Sequence, residues 1–394
     1  MTNDFFTNLQ QHSNAKLEVL NKYVIPWMRK VILNRYGSGK GLIIDGFAGK
    51  GFYGDTKTEL GSPLLLLQTA ITFSNQAKDH NWKQPDVYLL FIENDKRIYE
   101  ELLKNIKTFC MLDYPSDIEP IFLPVPNHNS IKIAVVNDSF SHTLDAILDQ
   151  VPNLIPSFCF IDPFGFSQTP FALIKRFLEH HSSEILLNFI FEETNRFINH
   201  PNPKIQEQIE QHYGIENIKE IRGLIEGKKG TQRKELLVDF YSRQLLEQTS
   251  VKHVLNFEIK KNGRTKLILY YGTKSREGLK LMKKVMWKVD DTGSYLFDDR
   301  KNPDQIEFFF PESDEEQHFI ELSKLISDNF QGTNDVLERD VEDFVLFDTK
   351  YPSEGFFKKA LKRLEEQQLI TNIRKIDGTN RRKGAFSNVL IDFI

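Results

Sequence analysis

The chain has 394 residues, a hydrophobic content of 40%, a charged content of 27% and a formal net charge of −4. That length calls for two or three domains rather than one small core, and the slightly acidic balance excludes a generic polycation. Two cysteines, Cys110 and Cys159, exclude a disulfide framework or four-cysteine metal site, and no apolar run nears the roughly 20 residues that span a bilayer. Met1–Gln11 is mostly polar, without the basic-then-apolar pattern of a signal peptide, so a cytoplasmic setting is expected.

Residues 14–36 carry helical periodicity, with Leu17, Leu20, Val24 and Trp27 on one face and Pro26 expected to kink or break it. Gly37-Ser38-Gly39-Lys40 precedes the next strand and lacks phosphate-loop spacing, so ATP hydrolysis is excluded. Leu42-Ile43-Ile44 reads as a short buried strand that ends in Asp45. Gly46, Gly49 and Gly51 follow, and a turn of that kind lets backbone approach a ligand closely. The segment Asp45–Gly51 differs from the dinucleotide fingerprint. It resembles the S-adenosylmethionine (SAM) turn of Rossmann-like methyltransferases, in the F-x-G-x-G form of amino-methyltransferases. The leading helix of such enzymes closes over the methionine end of SAM, where Lys16 would pair with the carboxylate; a surface lysine is the alternative.

Gly61-Ser62-Pro63 signals a helix, with Ser62 as its cap and Pro63 at the first position. Val87–Ile92 is a second strand that ends in acids. The acid after the second strand of a βαβ unit accepts from ribose hydroxyls, so Glu93 is the expected ribose ligand. Capping of the helix 96–107 is its other reading. Further strands are expected at 120–125, 132–136, 156–161 and 184–191, and Ser139 or Ser141 begins a helix that reaches Gln150.

The strand through Phe158–Ile161 stops at Asp162-Pro163-Phe164-Gly165. Enzymes that methylate exocyclic amines carry D-P-P-Y or N-P-P-Y at this point. The acid and a proline-flanked carbonyl accept the amine hydrogens, the aromatic stacks on the base, and catalysis comes mainly from orientation and desolvation. Asp162, Pro163 and Phe164 are therefore the candidate catalytic residues. The alternative is a plain strand-ending turn with Phe164 and Phe166 in the core. Glu192 and Glu193 could act in acid–base chemistry, but as neighbours they are expected to point apart, so that at most one faces a site. The histidines show no zinc-ligand spacing, and no metal is expected.

These segments together resemble the three-Cys-motif partner (TcmP) family, encoded in bacteria beside a radical-SAM-like three-cysteine protein. The matching stretches are 12–18 with Tyr23 and Trp27, 45–51, 61–63, 91–95, 160–165 and 188–196. Lys50 in the glycine turn and the D-P-F-G form depart from the usual motifs. The resemblance implies SAM as cofactor, held by Lys16, Asp45, Phe47, Gly49, Gly51 and Glu93, and the three-cysteine protein as a partner.

Residues 192–248 read as a helical insertion over the active site, followed by strands at 251–259 and 265–273 around the turn Lys260–Arg264. Those late strands would complete a seven-stranded methyltransferase sheet, with the last pair antiparallel. Residues 228–290 carry 16 Lys or Arg against 6 Asp or Glu, residues 291–350 carry 5 against 17, and residues 351–394 carry 9 against 5. Basic blocks suit nucleic-acid phosphates, although pairing with the acidic block is the other reading. Lys260, Lys261, Arg264, Arg381, Arg382 and Lys383 are the candidate nucleic-acid contacts. Three helices in 316–368 and a hairpin, 370–376 with 389–393, resemble a winged helix.

The expected fold is α/β: a Rossmann-like methyltransferase domain over 1–310 with the insertion at about 192–248, then a winged-helix-like domain over 311–394. The expected function is SAM-dependent methylation of a nucleic-acid base, DNA or RNA, at an exocyclic amine. A non-catalytic nucleic-acid-binding partner of the three-cysteine protein is the alternative.

Overall fold

Apolar runs separated by amphipathic stretches give this chain a largely parallel sheet covered by helices, as alternating β and α segments dictate. The computed structural model describes residues 11–33, 39–53, 59–116, 121–290, 295–298 and 311–394. It divides into two units, Met1–Leu281 with Leu296–Arg300 and Met282–Tyr295 with Lys301–Ile394. The expected boundary after residue 310 borders a stretch, 299–310, outside the described residues, as are residues 37 and 38 of the Gly37–Lys40 segment.

In the first unit α1 (Gln11–Ile32) leads to β1 (Lys40–Asp45) and to a short antiparallel pair, β2 (Phe52–Tyr53) and β3 (Glu59–Leu60). Then come α2 (Ser62–Asp79), β4 (Asp86–Ile92), α3 (Lys96–Cys110), β5 (Leu123–Val125), β6 (His128–Val136) and α4 (Phe140–Gln150). After these follow β7 (Ser157–Ile161), α5 (Phe171–Glu179) and β8 (Ser183–Phe189). Four helices occupy the insertion: α6 (Phe191–Phe197), α7 (Pro203–Tyr213), α8 (Lys219–Leu224) and α9 (Gly230–Gln248). The unit closes with β9 (His253–Lys261), β10 (Arg264–Thr273), the start of α10 (Arg276–Val289) and β11 (Leu296–Asp298).

Among the described residues the main sheet has nine strands in the order β11-β9-β10-β8-β7-β1-β4-β6-β5. β6, β4, β1, β7 and β8 are mutually parallel, while β10 runs antiparallel to both β8 and β9. The seven strands from β6 to β9 are those the sequence announced, with the expected reversal at the end. β5 at one edge answers the strand expected at 120–125, β11 is a further edge strand, and β2 with β3 forms a separate two-stranded sheet. The central strands are mostly apolar because both faces are covered: every residue of β7 and of β8 is buried.

Helix α1 runs through Pro26 without the break that was one of the two expectations there. Burial holds it: Leu20, Tyr23, Val24 and Trp27 are all at most 2% exposed. The Tyr23 hydroxyl donates to Glu184 at 2.6 Å, and Thr273 donates to the same carboxylate at 2.6 Å, so this buried acid near the start of β8 is satisfied. Seven residues earlier, about 10 Å along the helix, α1 reaches the opposite, carboxyl end of the sheet. At α2 the cap is Gly61 rather than Ser62, which lies inside the helix with Pro63.

The second unit holds the end of α10, α11 (Pro311–Phe330), β12 (Val336–Leu337), α12 (Glu338–Asp348), α13 (Phe357–Glu366), β13 (Ile370–Lys375) and β14 (Val389–Phe393). β14 is flanked by β12 and β13, both antiparallel to it. Phe357, Leu361 and Leu364 on one face of α13 pack with Leu322, Val345 and Ile391 in its core. Buried Lys283 donates to the carbonyls of Val345, Leu346 and Thr349 at 3.2, 2.8 and 2.6 Å, satisfying the exposed end of α12. No helix among the described residues is long and apolar enough to cross a membrane.

Candidate active site

The carboxyl ends of β1, β4, β7 and β8 converge, and in an open α/β sheet ligands bind at that edge. The turn after β1 is pinned there by its neighbours. Gly46 N–H donates to the Phe160 carbonyl at 2.9 Å and Ala48 N–H to that of Ile92 at 2.9 Å. Gly49 and Gly51 take positive φ, 62° and 89°, which a side chain resists.

Asp45 and Glu93 brace the turn from within the protein. Asp45 is fully buried, and its Oδ1 accepts from the Phe47 N–H at 3.3 Å. Burial raises its carboxyl to about 7; the Ser62 hydroxyl and Phe47 amide pull it back in part, and Asp162 and Glu93 add to the rise. Ser62 does not close a hydrogen bond to Oδ2, which has no partner among the described residues. Glu93 is 5% exposed and accepts from Gly49 N–H at 2.9 Å and Asp95 N–H at 2.8 Å. Burial raises this carboxyl as well. Glu93 therefore does not cap α3: Asp95 does, accepting from the amides of Arg97 and Ile98.

A cavity of about 280 Å³ opens beside the turn. Lys16, Phe47, Gly49, Gly51, Asp162, Pro163 and Phe164 line it, whereas Asp45 and Glu93 do not. Lys16 and Asp162 form an ion pair, so the lysine is not the surface residue of the simpler reading. Asp162 Oδ1 also accepts from Asn188 Nδ2 at 2.5 Å. Burial alone would lower the Lys16 ammonium, but Asp162, with Tyr53 and Asp45, more than reverses that and holds it above its ordinary value. Gln168 Oε1 accepts from the amides of Phe164 and Gly165 at 2.8 and 3.2 Å, which shapes the Asp-Pro-Phe-Gly turn.

The two phenylalanines part company. Phe164 is 51% exposed at the cavity, whereas Phe166 is 6% exposed and packs beside Phe197 and His212. Phe166 is thus a core residue, as the plain-turn reading expects, whereas Phe164 is not. Cys159 is buried in β7.

Residues the motif reading missed also line the cavity: Tyr53, Asn188 and Lys266 among them. Glu192 and Glu193 both line it, contrary to the expectation that at most one would, because successive helical residues differ by about 100° rather than 180°. Glu192 pairs with Lys266 at 2.6 Å, and that bond holds its carboxyl below the usual range. Glu193 Oε2 and Asn188 Oδ1 are buried with no hydrogen-bond partner among the described residues. The readable signal for Asn188 was a lone amide within the apolar run Ile185–Phe189.

The basic candidates divide by environment. Lys260 lies 3.9 Å from Glu258, and Lys261 and Arg264 line a shallow depression with Glu192 and Lys266. In the second unit Arg381 is spent on an ion pair with Glu365, both side chains 12% exposed, and sits over the Phe386 ring. Arg382 and Lys383 are exposed. Among the described residues no three His, Cys, Asp or Glu side chains gather to hold a metal.

Strand order, register and the carboxyl-edge turn define a Rossmann-like methyltransferase fold. No protein-family model and no curated protein matches the chain. Among solved structures it is similar to Trm1 from Pyrococcus horikoshii in complex with S-adenosyl-L-methionine, at 12% identity over 69% of this chain and 59% of that one, with a TM-score of 0.31. A Legionella pneumophila protein matches at 12% identity over 70% and 91%, TM-score 0.36. Loganic acid methyltransferase with SAH matches at 9% over 73% and 84%, TM-score 0.26. The chain thus covers less than two thirds of the Trm1 chain.

Proposed function

We propose that this protein is a SAM-dependent methyltransferase that modifies an exocyclic amine of a nucleic-acid base. The observation that carries the reading is the gathering, in one carboxyl-edge cavity, of the glycine turn, Lys16, Asp162 and the exposed ring of Phe164.

The residues fit SAM by their chemistry. The turn at Gly49 and Gly51 offers side-chain-free backbone, and the buried carboxyls of Asp45 and Glu93 behind it suit a cationic cofactor by charge. Lys16 carries three donors, so it can hold Asp162 and the cofactor's carboxylate together. When bound, SAM supplies an electrophilic methyl group. The chain's own residues do the rest: Asp162 and Pro163 fix the edge of the target, Phe164 offers a face for stacking, and the buried walls keep water from the amine.

Nucleic acid as the substrate class is supported by Lys261, Arg264 and Lys266 beside the cavity and by exposed Arg382 and Lys383 in the second unit. The three helices and small antiparallel sheet of that unit suit a winged-helix role. Within this reading the chain is a bacterial TcmP-family protein that works with a radical-SAM-like three-cysteine partner. The test is transfer of label from methyl-labelled SAM to total bacterial RNA and genomic DNA. Labelled nucleoside is the expected result; SAM binding without label in either pool would favour the non-catalytic alternative.

A further inference from the structure

Both oxygens of Asp162 are already engaged, one by Lys16 and one by Asn188. The amide of Asn188 is in the opposite state. Its Nδ2 donates to the carboxylate, which takes only donors and so fixes which way the amide faces. Its Oδ1 is then left buried without a partner among the described residues, in a side chain that lines the cavity and is 4% exposed. Glu193 supplies a second such atom. Its Oε2 is buried and unpartnered among the described residues, and lies 3.6 Å from where a Cβ would stand at Gly165, beside the Asp162 turn. Buried acceptors left empty are costly, and the two side chains that carry them both line the one cavity, where the chemistry they lack is an N–H donor.

We infer that Asn188 Oδ1 and Glu193 Oε2 accept the two hydrogens of the target amine, and that Asp162 acts through Asn188 as a positioning residue. The inference rests on the methyltransferase reading and changes the part of the motif acid within it: Asp162 sets the amide, and the amide holds the substrate. An ammonium on the cofactor has the same donor chemistry, so the experiment must separate the two.

Asn188→Leu removes the acceptor at nearly constant size, Glu193→Leu removes the second, and Glu193→Gln keeps an acceptor. For each variant with a wild-type thermal transition, calorimetry gives the affinity for SAM and for 5′-methylthioadenosine, which lacks the amino-acid group. Methyl transfer to total bacterial RNA and DNA is measured alongside. The expected result is SAM affinity within about twofold of wild type, transfer down by at least about tenfold in both leucine variants, and recovery in Glu193→Gln. Asp162→Ala added to Asn188→Leu should cost little more than Asn188→Leu alone, as expected of residues acting in series. The inference is overturned if SAM affinity falls about tenfold while methylthioadenosine binding holds, which would place the acceptors on the cofactor's ammonium. Unchanged transfer in both leucine variants overturns it too. A wild-type protein that binds no SAM and transfers no methyl refutes the underlying methyltransferase reading instead.

Discussion

Lys16 in the first helix and Asp162 at the end of β7, 146 positions apart, form an ion pair whose side chains are 10% and 17% exposed. The pair ties α1 to the end of β7 at the wall of the cavity. Tyr23, bonded to Glu184, fixes the other end of the same helix segment.

Breaking that pair should cost stability as well as function. Lys16→Met leaves Asp162 without its cation, and the loss should be on the order of 3 kcal/mol, read from denaturant unfolding. The Lys16 pKa is raised, so the stability it contributes is complete below the unfolded value of 10.5 and is lost as pH rises through the higher folded value. Lys16→Met should lack this alkaline decline.

Asp162→Ala should leave SAM affinity largely intact while slowing methyl transfer by more than about tenfold, at least roughly 1.4 kcal/mol of transition-state stabilisation. Calorimetry paired with a transfer assay separates the two. Loss of SAM binding together with loss of fold would return Asp162 to a structural turn.

Asp45 should give the protein and its ligand a pH dependence near neutrality. Its folded pKa of about 7 exceeds the ordinary 3.8, so the native state binds more protons between those values and stability falls as pH rises through that window. Asp45→Asn should flatten that fall. A cationic cofactor favours the carboxylate, so SAM affinity should rise between pH 6 and pH 8 in the wild type and stay level in Asp45→Asn.

Glu93→Ala leaves the Gly49 and Asp95 amides without their acceptor. SAM binding should weaken by roughly 1–3 kcal/mol, measured by calorimetry on the folded variant. Unaltered affinity would limit Glu93 to bracing the turn.

The basic residues should behave in two ways. Arg382→Ala and Lys383→Ala should each reduce the salt slope of nucleic-acid binding by about 1 without changing the melting temperature. Arg381→Ala should instead destabilise the second unit, since it strands Glu365 in a mostly buried pair. Equal salt slopes in all three would remove this surface from the interface.

The sheet was legible because its strands are short apolar runs that end in Asp45, Glu93 and Asp162, and because β9 and β10 flank a Lys-Asn-Gly turn. What escaped the sequence depends on tertiary partners. Pro26 alone predicts a kink or a break, and burial of Tyr23, Val24 and Trp27 carries the helix through it without a break. Ser62 was read as a cap, but the chain enters α2 one residue earlier, at Gly61. Arg381 looked like a free cation until Glu365, sixteen positions away, was seen beside it. Asn188 and Glu193 belong to no short motif, and their empty acceptors are visible once β8 and α6 are folded beside the Asp162 turn.

The central claim is that the glycine turn after β1 holds SAM. Titration calorimetry of the full chain with SAM, beside Gly49→Val, tests it most directly. The wild type should bind one SAM per chain, and a folded Gly49→Val should lose binding, because its side chain would fill the ligand's place at a positive φ. A folded wild-type protein that takes up no SAM, or a Gly49→Val variant that binds it equally well, would contradict the account.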